Sequence, residues 1–149
     1  MKKQVLMLLA ALMLGSVAIN AAERLVAIES MPQVAQDFTR KYFPATDPLY
    51  RQAYVTYDAE LFDSSYMVVF TNGDGLEFNK DGSWKDFDCK YCVVPAEIIP
   101  APIKAYLDAN FPDQQVKKIE KNRRDYEVKL SSGFELKFDL QGRLVEVDD

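Results

Sequence analysis

At 149 residues the chain is long enough for one compact core or two small fused halves, and 18 Lys plus Arg against 23 Asp plus Glu leave a net charge of −5. That acidity, with the longest basic cluster (Lys117-Lys118 to Arg123-Arg124) interrupted by Glu120 and Asp125, argues against nucleic acid, whose phosphates demand clustered positive charge. The absence of histidine excludes Ser-His and Cys-His nucleophile pairs and most zinc sites.

The first residues read as an export leader. Lys2 and Lys3 precede an apolar run from Val5 to Leu14, and Ile19-Asn20-Ala21 ends on a small residue suited to cleavage. The run is shorter than the about 20 residues of a membrane span, and no cysteine follows it, so a lipid anchor is not supported. Cleavage near Ala21 or Ala22 is expected, giving a periplasmic or secreted bacterial protein with no membrane span. The mature chain would then hold 16 basic and 23 acidic residues, a net −7.

A helix pattern follows. Ser30 and Gln33 have capping-box spacing, and Pro32 falls in the first turn, where its missing N–H costs nothing. Val34, Ala35, Phe38 and Tyr42 recur at helical spacing, and Pro44 forces the preceding residue out of the α region. Strands are predicted over residues 50–57, 66–71, 76–79 and 83–88, separated by Asn72-Gly73-Asp74-Gly75 and Asp81-Gly82, pairs that tolerate the positive φ of hairpin turns. These acidic turns lack the spaced ligands and closing Glu of a calcium loop. Residues 93–100 then lead to a second helix marked by Ile99, Ile103, Tyr106, Leu107 and Phe111 and stopped by Pro112. Strands over 115–120, 126–131, 134–139 and 143–148 complete the chain.

The second half repeats the first. Tyr66-Met-Val68, Gly73, Leu76-Glu-Phe78, Gly82 and Asp88 recur as Tyr126-Glu-Val128, Gly133, Leu136-Lys-Phe138, Gly142 and Asp148, at a constant offset of 60 residues. Such a period implies a duplicated unit. The expected fold is α+β, a tandem repeat of a helix plus a four-stranded antiparallel meander with the helices packed on one face of the sheet. The leader would span residues 1–21, the first repeat 22–92 and the second 93–149.

Strand parity assigns the faces. In the second repeat Tyr126, Val128, Leu130, Leu136 and Phe138 face the helix, while Glu127, Lys129, Glu135 and Lys137 form a wet face with opposite charges across strands. The same parity in the first repeat places Tyr66, Val68, Phe70, Leu76 and Phe78 in the core, and Trp84 with them, opposite Leu144 in the second. It turns Met67, Val69 and Phe87 outward, ringed by Glu77 and Lys85. Either another segment, such as Leu25 to Ile28, covers that greasy face, or it is a partner-binding patch. Tyr50 and Tyr54 share one parity and Tyr57 the other, which leaves open which of them is buried.

Cys89-Lys-Tyr-Cys92 is the one constellation with chemistry. In an oxidising compartment it can close into a disulfide, although thioredoxin-type exchange uses the same spacing. Here it follows a strand and does not open a helix in a βαβ unit, which favours structure over redox work.

The order Pro, helix, Phe-Pro, Tyr-x-Val, Gly, Leu-x-Phe, Gly, Asp, given twice over residues 30–148, resembles the PepSY-like family of exported bacterial proteins, described as beta-lactamase-inhibitor-like. The resemblance implies helices on one face of an antiparallel sheet and a non-enzymatic module that binds or inhibits a protein or peptide. It carries no catalytic residue set, metal or cofactor. The competing reading is a small-ligand or envelope-stress sensor, with a redox role for Cys89 and Cys92 behind it.

Overall fold

The structure, a computed structural model, describes residues 23–60 and 63–149. The expected leader lies outside them. The strands are β1 (Glu23–Val26), β2 (Ala53–Asp58), β3 (Ser65–Phe70), β4 (Gly75–Asn79), β5 (Trp84–Asp88), β6 (Val116–Lys121), β7 (Asp125–Leu130), β8 (Glu135–Asp139) and β9 (Leu144–Asp148). Helices α1 (Gln33–Tyr42) and α2 (Ala101–Asn110) are the two α-helices among the described residues.

The expected tandem repeat of a helix plus a four-stranded meander is corrected by the strand order. All nine strands run β1 to β9 in sequence order within a single antiparallel sheet, so the fold is dominated by that sheet. Two pairings outside the repeat pattern account for the difference. Glu23–Val26 adds a strand against β2, matching Val26 with Val55, and β5 offers its second edge to β6, matching Phe87 with Ile119. Unpaired strand edges leave backbone N–H and C=O groups to be satisfied, and both pairings remove such an edge. The chain divides into two compact units between Trp84 and Lys85, so most of β5 falls in the second unit.

In the first unit α1 begins at Gln33 without a side-chain cap. Ser30 instead closes a 3-10 turn onto Ala27, and the Gln36 amide donates to the Met31 carbonyl at 2.9 Å. Ala35 of α1 is buried, and the Phe38 ring meets Phe78 edge-on at 5.6 Å. Phe43 stacks on Phe70 at 4.7 Å, and Tyr50 completes the cluster, its hydroxyl donating to Asp74 Oδ2 at 2.9 Å. The Asn72-to-Gly75 turn is thus fastened by a buried carboxylate; burial and then the hydrogen bond to Asp74 hold the Tyr50 phenol above its ordinary pKa. The second unit repeats the arrangement, with Ile103 and Leu107 buried and Tyr106 edge-on to Phe138 at 5.5 Å.

Candidate functional site

The register of the second unit separates its sheet into two chemically opposite faces. Phe87, Ile119, Val128 and Leu136 stand side by side across β5 to β8, all buried on the α2 side. On the other side Asp86, Glu120, Glu127, Lys137 and Glu146 form one row, and Asp88, Lys118, Lys129, Glu135 and Asp148 the next. Every one of those positions is charged. Alternation explains why both rows arise from the same strands.

Across β7 to β9 this charged face is open to solvent. Lys129 Nζ reaches Glu135 Oε1 at 2.9 Å and Lys137 Nζ reaches Glu127 Oε1 at 3.6 Å, with side chains 36 to 57 % exposed. Such pairs add little stability, because water screens them. Towards β5 the same face closes. Asp86 is buried, its Oδ2 lies 3.2 Å from Lys118 Nζ, and its Oδ1 has no hydrogen-bond partner among the described residues. Asp88 stands 3.9 Å from the same ammonium. Burial chiefly, and the charges of Glu120 and Asp88, push the Asp86 carboxyl up to about 7 against the pull of Lys118. Burial lowers Lys118, but Asp86, Asp88 and Glu120 together hold it above its ordinary value.

The residues expected to form a greasy patch are placed differently, and the expectation of an open patch is corrected. Met67 and Glu77 are matched neighbours on β3 and β4, in one row with Thr56, and all three are buried. Lys85 is buried, Val69 is half-buried, and Phe87 is 1 % exposed. Phe87 lies on the core side because it is matched with Ile119. Parity carried along one strand does not fix the next, because a hairpin can shift its register. In the β8–β9 hairpin, 60 residues further on, a bulge lets Phe138 face Leu144 and Lys137 face Glu146, skipping Val145. One extra residue turns every later side chain to the other face. Of the tyrosines, Tyr50 joins the aromatic cluster, Tyr57 lies against Tyr66 at 4.8 Å, and Tyr54 is exposed.

Cys89 and Cys92 are joined in a disulfide with Cα atoms 4.8 Å apart. The bridge sits just after β5, where the Cys89 N–H donates to the Lys117 carbonyl at 2.7 Å and Lys117 Nζ donates to the Cys92 carbonyl. The acidic cluster at Asp86, Asp88 and Glu120 had no place in the sequence reading. Its signal was present in Asp86-Phe87-Asp88 facing Lys118-Ile119-Glu120, but only the β5–β6 pairing reveals it. Among the described residues, no group of three His, Cys, Asp or Glu side chains is placed to hold a metal ion.

A two-unit antiparallel sheet with one helix per unit and a charged outer face defines a class of small sheet modules. The chain belongs to the PepSY-like, beta-lactamase-inhibitor-like family, whose model matches residues 64–146. It is similar to a Bacteroides vulgatus protein of the DUF2874 family, described as a "putative periplasmic protein", at 39% identity and a TM-score of 0.79, covering 88% of this chain and 100% of that one. A Bacteroides thetaiotaomicron protein described as a "putative calcium-regulated periplasmic protein" shares 39% identity at a TM-score of 0.73, over 85% of this chain and 97% of that one. A second Bacteroides vulgatus protein, "of unknown function", shares 32% identity at a TM-score of 0.73, over 85% and 99%. A search of curated proteins found no match. The solved relatives are thus described as periplasmic, and no helix among the described residues is long and apolar enough to cross a membrane.

Proposed function

We propose that this protein is an exported, non-enzymatic module that binds a protein or peptide partner and restrains it. The observation that supports this reading is the open charged face on β7 to β9. There Glu127, Lys129, Glu135, Lys137, Glu146 and Asp148 present four acids and two bases without an apolar break. A flat array of this kind has complementarity and steering to offer a cationic partner, and little of the concavity that a small molecule needs. Met67, Val69, Glu77, Lys85 and Phe87 are not the contact surface in this proposal.

The test is crosslinked capture from a cell-envelope extract, with the protein lacking its first 22 residues as bait and a Glu127→Lys/Glu135→Lys variant as control. A protein retained by the wild type, lost by the variant and released by raised salt supports the reading. Equal capture by both moves the contact off this face, and no capture at all removes the binding-module reading.

A second reading, a small-ligand or envelope sensor, draws on the relative described as calcium-regulated and on the buried carboxylate oxygen of Asp86. Calcium would have to displace Lys118 from Asp86 and Asp88. A calcium titration that leaves the melting temperature unchanged, while magnesium does the same, eliminates it.

A further inference from the structure

The two repeats end in equivalent strands that meet different fates. At the 60-residue offset Trp84, Asp86, Phe87 and Asp88 of β5 correspond to Leu144, Glu146, Val147 and Asp148 of β9. β5 is paired on its second edge by β6, whereas β9 is the last strand in the sheet order, with β8 as its only strand neighbour among the described residues. The consequence is visible in burial. Phe87 is 1 % exposed, whereas Val147, which faces the same side opposite Leu136, is 44 % exposed and Val145 is 62 % exposed. All five residues of β9 are exposed.

The pairing of β5 shows what such an edge receives within this chain. β6 sets Ile119 against Phe87 and Lys118 between Asp86 and Asp88, its ammonium 3.2 and 3.9 Å from the two carboxylates. A lysine followed by an aliphatic residue therefore answers an acid–apolar–acid strand. β9 presents the same acid–apolar–acid order in Glu146, Val147 and Asp148. We propose that the free edge of β9 takes an extended segment of a partner protein by strand addition, and that this segment carries lysine next to an aliphatic residue, as β6 does. The proposal rests on the binding-module reading and specifies the edge and the sequence class it recognises. Main-chain hydrogen bonds supply affinity in strand addition, and the alternating side chains supply selectivity. A second copy of the chain is the poorer occupant, because antiparallel pairing of β9 with itself sets Glu146, Asp148 and Asp149 against their own like charges.

The probe is a labelled peptide with the sequence of residues 115–121, titrated into the protein lacking its first 22 residues and followed by anisotropy and by hydrogen exchange. Saturable binding is expected, with exchange at residues 145–148 slowed at least tenfold. Exchanging Lys117 and Lys118 of the peptide for glutamate, or introducing Glu146→Lys/Asp148→Lys in the protein, should weaken binding at least tenfold. Because both substituted residues are exposed, an unchanged melting temperature separates lost binding from lost folding. Binding that leaves β9 exchange unaltered, or that survives the charge reversals, overturns the proposal, as does no binding at millimolar peptide. Concentration-dependent protection of β9 without peptide would assign the edge to a second copy and overturn it too. An envelope partner captured equally by the Glu146→Lys/Asp148→Lys protein would sink the edge assignment while leaving the binding module intact.

Discussion

Ionising Asp86 places a negative charge where water scarcely reaches, with Glu120 matched across the strand pair and Asp88 two residues away. Its carboxyl, raised to about 7, stays protonated in the folded chain at pH values where the unfolded chain has already lost the proton. Between pH 4 and 7 the native state therefore binds more protons than the unfolded one, and stability from this group falls as pH rises through 7. The Asp86→Asn variant should match the wild type near pH 4 and exceed it near pH 8, by an amount on the order of a few kcal/mol. Urea denaturation at the two pH values measures this, and equal wild-type and variant curves at pH 8 would refute it. On the opposite face Phe87→Ala should cost about 3–5 kcal/mol in the same assay, the ordinary cost of emptying an aromatic core position. A cost below 1 kcal/mol would return Phe87 to the surface. Val68, Phe70, Leu76, Phe78, Val128, Leu136 and Phe138 lie in the core, as the uninterrupted alternation of their strands predicts. Phe87 departs from simple alternation, and its place on the core side follows from its pairing with Ile119, a contact between residues far apart in the chain.

Helices and turns were legible element by element, since Asp-Gly, Asn-Gly and Phe-Pro punctuation acts over two or three residues. β1 and the β5–β6 pairing were not legible, because which edge meets which is decided between residues far apart in the chain. The turns also hold information on packing. Gly142 has φ +80°, and a Cβ there would stand 2.6 Å from Pro102 Cβ at the start of α2; Gly133 has φ +101° with nothing within 4 Å. Both substitutions to alanine pay for a left-handed backbone, about 1–2 kcal/mol, but only Gly142→Ala must also push α2 away from the β8–β9 turn. Gly142→Ala is therefore expected to destabilise by at least about 1 kcal/mol more than Gly133→Ala, read as the difference between their urea midpoints at constant slope. Equal midpoints would mean that the α2 terminus yields freely.

At the scale of the whole chain there are two compact units and one local crosslink, which lies within the second. Each unit has its own helix and its own aromatic contact from helix to sheet, Phe38 on Phe78 and Tyr106 on Phe138. Cys89 and Cys92 both fall in the second unit, three positions apart. A ring that small removes little freedom from the unfolded chain, about 2 kcal/mol by loop closure, and only from the unit that contains it. Reduction is therefore expected to leave the protein folded. It should raise exchange roughly 30-fold at amides of β6 and β7 that open only with the second unit, the same 2 kcal/mol expressed as a rate. Amides in β2 to β4 should keep their rates. Hydrogen exchange by mass spectrometry, with and without a phosphine reductant, separates the cases. Acceleration in both units alike would show that the nine strands open as one cooperative body. No acceleration anywhere would show that the Lys117 contacts, not the covalent ring, hold the segment after β5 in place.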